Sequence, residues 1–239
     1  MTHIVAYIGS RNPHSQTVRA VKQTKAALDR ILPATWSILT PLDMTILPSD
    51  GTADEFFTGV DHIAESGADD SSALKQLIES CDYLILGTPT YGHNVSGDMK
   101  ILMDRLTYWG HLMRLSNKPG MAFVSATTNG FLEVGALMEQ FMESLGVVIA
   151  ETAYHTTAAP FDEAAAQNVT HRIAEVIANL HTQPALTPSE RQEQMFRAYR
   201  RMYRRRDEGD YEARYWREHG MLDCATLQEY FAQVAQQGR

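Results

Sequence analysis

Ile4-Val-Ala-Tyr-Ile8, followed at once by Gly9-Ser-Arg-Asn-Pro-His-Ser-Gln-Thr17, is the stretch on which the reading of this chain turns. Five apolar, β-favouring residues in a row suit a short buried strand, and Gly9 stops it. Past the loop, Val18, Val21, Lys22, Lys25 and Leu28 fall at helical spacing, and Leu28, Ile31 and Leu32 close the apolar side. The order is strand, hydroxyl-rich loop, helix.

That order recurs down the chain. A second strand over Thr35–Leu39 ends at Pro41, and residues 40–70 form a long, weakly periodic stretch of a kind that tends to be functional. Asp69-Asp70-Ser71 predicts a cap for a helix over 73–80. Tyr83-Leu-Ile-Leu-Gly87 is apolar at every position, as a central parallel strand covered on both faces requires. Helix 98–106, strand 121–125, helix 132–145, strand 147–150 and helix 163–180 complete a β-α alternation repeated five times. The alternation predicts an α/β fold built on an open, doubly wound parallel sheet, with right-handed crossovers placing helices on both faces.

Bulk properties narrow the function classes. At 239 residues and 44% hydrophobic the chain can bury a full core, and nothing in the composition argues for disorder or a disulfide scaffold. No apolar run approaches the roughly 18 residues of a membrane span. The N-terminus lacks the basic and apolar regions of a secretion signal. Two cysteines, Cys81 and Cys224, fit a reducing compartment, so a cytoplasmic location is expected. The net charge of -8 disfavours nucleic acid as a partner. It is unevenly spread: residues 1–184 carry 11 Lys/Arg against 20 Asp/Glu, whereas residues 185–239 carry 10 against 9.

The tail is therefore read separately. Thr-Gln-Pro-Ala-Leu-Thr-Pro over 182–188 has the composition of a linker. Met195, Phe196, Tyr199, Met202 and Tyr203 then form one helical stripe, and Asp223 is placed to cap a last helix carrying Leu227, Tyr230, Phe231 and Val234. The cluster Arg197, Arg200, Arg201, Arg204, Arg205 and Arg206 can read as a membrane-surface helix. Core-spaced Tyr and Met, with Asp207, Glu208 and Asp210 nearby, favour a helix docked on its own or a neighbouring subunit.

Ligands of open parallel sheets bind beyond the carboxyl ends of the strands, so the loops after strands one, three and four carry the chemistry. In the first, backbone N–H groups at the start of a helix suit a phosphate, with Ser10, Ser15 and Thr17 as hydroxyl donors and Arg11 as charge. It has neither the G-x-G-x-x-G of a dinucleotide site nor a P-loop ending. A plain capped turn explains the same residues equally well. In the second, Pro89 and Gly92 tighten the turn, Tyr91 offers an aromatic face to a planar ring, and amides of residues 90–94 can donate to ring carbonyls. Ser96 can cap the next helix. The alternative is a surface turn whose tyrosine merely packs.

Gly9-Ser10…Ser15-Gln-Thr17 together with Thr88-Pro-Thr-Tyr-Gly…Ser96-Gly-x-x-Lys100-x-x-x-Asp104-Arg resembles the NADPH-dependent FMN reductase and iron–sulfur flavoprotein branch of the flavodoxin-like superfamily. The resemblance spans about residues 3–180. It implies a flavodoxin-like five-stranded sheet of order 2-1-3-4-5, with residues 1–181 as the FMN-binding domain, 182–188 as linker and 189–239 as a helical C-terminal extension. It implies non-covalent FMN, its phosphate held by Ser10, Arg11, Ser15, Gln16 and Thr17 and its ring lying against Pro89, Thr90, Tyr91, Gly92, His93 and Asn94. A third contact falls on Thr127, Thr128, Asn129 and Gly130. NAD(P)H is the implied co-substrate, and a homodimer or homotetramer the implied assembly.

One departure is chemical. An iron–sulfur cluster needs about four thiolates, and this chain has two distant cysteines, so no cluster is expected. Phe56, Phe57 and His62 in the corresponding loop either cover a pocket or pack under the loop. His171 and Glu175 share a helix face, yet no third ligand is apparent, and no metal is expected. Arg11 or Arg105 can attract an anionic nucleotide or be a surface charge.

The expected activity is transfer of electrons from NAD(P)H through FMN to a small acceptor such as a quinone, free flavin, nitro or azo compound. Two rivals stand beside it: an electron carrier without NAD(P)H turnover, and a non-catalytic binding protein that kept the fold. His93-Asn94 and Arg11 are departures from the family pattern that leave the second rival open.

Overall fold

The computed structural model describes residues 2–207 and 209–237; Glu208, one of the acidic neighbours of the arginine cluster, lies outside them. Five parallel strands, β1 (Thr2–Ile8), β2 (Ala34–Leu39), β3 (Tyr83–Pro89), β4 (Lys118–Ser125) and β5 (Val147–His155), form one sheet of order β2-β1-β3-β4-β5. The flavodoxin-like architecture is thus present. The strands read as continuous apolar runs because both faces are covered. Val5 and Tyr7 of β1, Leu84 and Leu86 of β3, and Ala122 and Val124 of β4 enter one core. Their alternating neighbours Ile4, Ala6, Ile8, Tyr83, Ile85, Met121 and Phe123 enter the other.

Helices α1 (Gln16–Leu28) and α7 (Glu163–Thr182) cover the second core. On the opposite face lie α4 (Ser71–Ser80), α5 (Gly97–Leu112) and α6 (Phe131–Ser144). Between β2 and α4 the long segment contributes two short helices, α2 (Asp54–Thr58) and α3 (His62–Glu65). The tail forms α8 (Glu190–Tyr203), α9 (Tyr211–Glu218) and α10 (Leu227–Gln236) around a third core of Phe196, Tyr203, Trp216, Leu227 and Phe231.

Several expectations shift. α1 ends at Leu28, and Ile31 is 51% exposed beyond it rather than closing the apolar side. Asp70 stands at the N-cap of α4, but its carboxylate accepts from Thr45 N; it is Asp69 that takes Ser71 N and Oγ. Thr226, not Asp223, caps α10. β5 runs five residues past Ala150, and its register against β4 shifts where Gly120 pairs with Ile149 but Met121 with Glu151, leaving Ala150 as a bulge that interrupts the strand's alternation.

The tail docks on its own chain. Gln192 of α8 is buried and donates to the carbonyls of Glu143 and Val147. Glu212 is buried between His111 Nδ1 (2.7 Å) and the hydroxyl of Tyr203 (2.8 Å), and Trp216 donates to His111 O. Three of the arginines bond within the tail: Arg200 and Arg204 to Leu222 O, and Arg206 to Asp210 and to the buried Glu212 (3.4 Å). No helix among the described residues is long and apolar enough to cross a membrane.

Arg105 is neither a surface charge nor a nucleotide lure. Its side chain is fully buried and clamps the 40–70 segment through Asp61 (2.6 Å), Asp69 (2.6 Å), Ser71 Oγ (2.7 Å) and Leu47 O (2.9 Å). Lys75 reaches the same Asp61. Burial alone would raise the Asp61 carboxyl, but its bonds from Arg105 and Lys75 outweigh burial and hold it at about 2.

Candidate functional site

At the carboxyl ends of β1, β3, β4 and β5 the chain leaves a cleft of about 320 Å³. Ser10, Ser15 and Gln16 of the first loop, Pro89, Thr90 and Tyr91 of the second and Thr127 of the third line it, and all seven are sequence-predicted residues. Asn12, His14, Ser125, Ala126, His155 and Thr157 complete the wall.

The loops are brought together by close approach. A Cβ on Gly9 would sit 2.7 Å from Met99 Cβ, so only glycine lets the first loop meet the start of α5. Ser96 bonds there twice: its hydroxyl donates to Gly9 O and accepts Met99 N as the N-cap of α5. Gly130, at φ +78, abuts His93, where a Cβ would lie 3.0 Å from His93 Cα. The second and third loops therefore touch.

Which donors remain free decides what the cleft can hold. Ser15 is the N-cap of α1 and accepts Val18 N. Among the described residues the amides of Gln16 and Thr17 find no acceptor, as expected for the first turn of a helix. They point the positive end of α1 into the loop. Thr90 Oγ1 is buried with no hydrogen-bond partner.

Other predicted residues are engaged elsewhere. The Thr17 hydroxyl is buried and bonded to Ser125 Oγ at 2.7 Å, so it braces α1 against β4 instead of facing a ligand. Arg11 is turned outward into a bidentate pair with Asp98. Thr90 N donates to Ser125 O, and Tyr91 and Asn94 exchange backbone bonds. Gly92 and His93 form the tip between them, both at positive φ. Of the 90–94 amides, only those of Gly92 and His93 are without an acceptor among the described residues. Gly92, His93, Asn94, Thr128, Asn129 and Gly130 lie outside the cleft lining. Tyr91 is 60% exposed at its mouth.

Phe56 packs edge-on against His111 and Phe57 is exposed; with Tyr211 and Glu212 they line a separate hollow near the end of α5. Neither they nor His62 reaches the cleft. Glu175 pairs with Arg172. Sequence reasoning missed His155 and Thr157 because β5 was expected to stop at Ala150; the rule that ligands sit at strand carboxyl ends finds both once the strand's end is right.

A family model described as NADPH-dependent FMN reductase matches residues 2–160. Over 81 residues, 34% of this chain, there is 36% identity to an iron–sulfur flavoprotein of Archaeoglobus fulgidus; the matched stretch covers 37% of that relative's length. Among solved structures, RosB with bound 8-demethyl-8-formylriboflavin-5'-phosphate superposes with a TM-score of 0.63 at 13% identity, over 87% of this chain and 89% of that one. An NADH:FMN oxidoreductase, EMOB, in its apo form gives 0.53 at 16% identity, over 80% and 94%. The azoreductase AzrA gives 0.52 at 13% identity, over 73% and 96%. At these identities the superpositions speak for the fold, whereas the family match spans about two thirds of the sequence: the chain belongs to the NADPH-dependent FMN reductase family.

Proposed function

We propose that the chain is an FMN-dependent NAD(P)H oxidoreductase that delivers electrons to a small acceptor of the quinone, flavin, nitro or azo class. The observation that carries this reading is the meeting of strand-end loops around one cleft: Ser10, Ser15 and Gln16 of the first, with the acceptor-free Gln16 amide at the head of α1, line it together with Pro89, Thr90 and Tyr91 of the second and Thr127 of the third. The donors suit a phosphate at one end, and the Pro89–Tyr91 wall suits a planar ring at the other.

FMN, when bound, supplies the hydride and electron chemistry. The chain's own residues bind and orient. Ser10, Ser15 and the α1 amides hold the phosphate end, Pro89 and Thr90 wall the ring, and Tyr91 offers an aromatic face at the open mouth. Thr17 and Ser125, bonded to each other, keep α1 and β4 at fixed separation. The thiols do not fit an iron–sulfur cluster: Cys81 is in the body's core and Cys224 in the tail's, so no step runs through one. The division into a body, a 182–188 linker and a tail, a homo-oligomeric assembly and a cytosolic location belong to the same reading.

Titration of the purified chain with FMN, then NADPH, under a visible spectrum tests it. The expected result is stoichiometric FMN uptake, bleaching by NADPH and recovery on adding a quinone. Failure to take up FMN points to a non-catalytic binding protein. Uptake without NAD(P)H bleaching points to an electron carrier.

A further inference from the structure

The first loop carries hydroxyls and amides for a phosphate but little free charge, because its one arginine, Arg11, is held by Asp98. A phosphate dianion in a partly closed cleft calls for a cation or a charge-assisted donor nearby. Two side chains outside the predicted set stand here, one lining the cleft and one lining the groove beside it.

His155 ends β5 and lines the cleft together with Ser10, Ser15 and Gln16. Its backbone carbonyl accepts Ala126 N, and its ring nitrogen Nδ1 lies 3.0 Å from Phe161 N. A backbone N–H can only donate, so Nδ1 must carry the lone pair and the proton of the neutral ring sits on Nε2. The turn that delivers Phe161 N is itself bonded, Thr156 N to Ala159 O and Ala159 N to Thr156 Oγ1, which fixes the ring's orientation. Nε2 has no protein partner among the described residues. The second side chain is Arg19, one turn along α1 from Ser15, whose carbonyl accepts Arg19 N. Arg19 lines a groove that adjoins the cleft and shares His14, Ser15 and Gln16 with it. It forms no ion pair among the described residues. Burial, and then the charge of Arg19, depress the basicity of His155, in keeping with a neutral ring.

We propose that His155, through its Nε2 proton, and Arg19 complete the phosphate subsite at the head of α1, supplying the donor and the charge that the loop itself lacks. The proposal rests on the FMN reading above and extends it to two residues on other elements. Both act by binding, and neither takes part in electron transfer.

FMN and riboflavin, which differ only by the phosphate, are the probes, with dissociation constants read from flavin fluorescence. The parent chain is expected to bind FMN well over tenfold more tightly than riboflavin. Arg19→Gln and His155→Phe are each expected to weaken FMN by about tenfold or more, the loss of a charge-assisted or anchoring hydrogen bond, and to leave riboflavin unchanged. His155→Gln, whose amide can donate in place of Nε2, is expected to keep most of the FMN affinity. The proposal is overturned if either His155→Phe or Arg19→Gln weakens both ligands equally, which would put these residues on the ring, or leaves both unchanged. A parent chain that binds neither ligand overturns the FMN reading and the proposal with it; one that binds FMN while the variants behave like it overturns only the proposal.

Discussion

The cleft at the strand ends and the cluster beneath the 40–70 segment are both polar, yet they are built on opposite principles. Around Arg105 the hydrogen-bonding groups are spent: the guanidinium serves two carboxylates, a hydroxyl and a carbonyl, Lys75 serves Asp61, and two positive charges balance two negative ones. At the cleft the Gln16 amide is left over, and among the described residues the Thr17 amide and the buried Thr90 hydroxyl also find no partner. A satisfied buried network holds structure; an unsatisfied one is waiting for something to bind. The contrast separates two arginines that look alike in the sequence. Arg11, beside the predicted phosphate loop, is an exposed partner of Asp98, and Arg105, which looked free to recruit a nucleotide, is the centre of a closed cluster.

The sharpest way to break that comparison is to open the closed cluster. Arg105→Ala leaves Asp61 and Asp69 buried without their main partner, and removal of one side of a buried ion pair costs about 3–5 kcal/mol. Urea unfolding of the apo chain is expected to show a loss of that size. Arg105→Lys is expected to recover little of it, because an ammonium cannot reproduce the fork that spans both carboxylates. A loss below about 1 kcal/mol would mean that the cluster does not hold the segment.

Acid tests the same cluster more gently. The Asp61 carboxyl stands at about 2 when folded, against an ordinary value of 3.8. Its folded value is the lower one, so its contribution is complete above pH 4 and is lost as pH falls toward 2. The difference corresponds to a contribution on the order of 2 kcal/mol. The stability deficit of Asp61→Asn relative to the parent chain is therefore expected to be largest near pH 6 and to shrink toward pH 2. A deficit that does not change with pH would refute the ion-pair account.

The same contrast explains what was legible in the sequence. The strands and the β-α order were, because burial on both faces writes an unbroken apolar run such as Tyr83-Leu-Ile-Leu. The predicted loop residues Ser10, Ser15, Gln16, Pro89, Thr90, Tyr91 and Thr127 were, because each follows directly from a recognisable strand. Contacts that join distant segments were not. Nothing local marks Arg105 as the partner of Asp61, 44 residues earlier, and nothing at Thr17 announces that Ser125 will take its hydroxyl. His155 was hidden by the register shift in β5, which breaks the alternation before the strand reaches the cleft. α9 is only eight residues long, so its apolar positions Tyr211, Ala213, Tyr215 and Trp216 were too few to stand out in the sequence.

The smallest effect sharpens the comparison most, because it changes sign between two measurements. Thr90→Val removes a buried hydroxyl that has no partner among the described residues and keeps the side chain's shape. If the hydroxyl is idle until a ligand arrives, the apo chain should lose nothing and gain up to about 1 kcal/mol in urea unfolding, since an unpaired buried polar group is a cost. If flavin binding turns the hydroxyl toward the ligand, the same variant should bind FMN several-fold more weakly. A structural hydroxyl would give the opposite pattern, with a destabilised apo chain and an unchanged flavin affinity, and would move Thr90 from the open set of polar groups to the closed one.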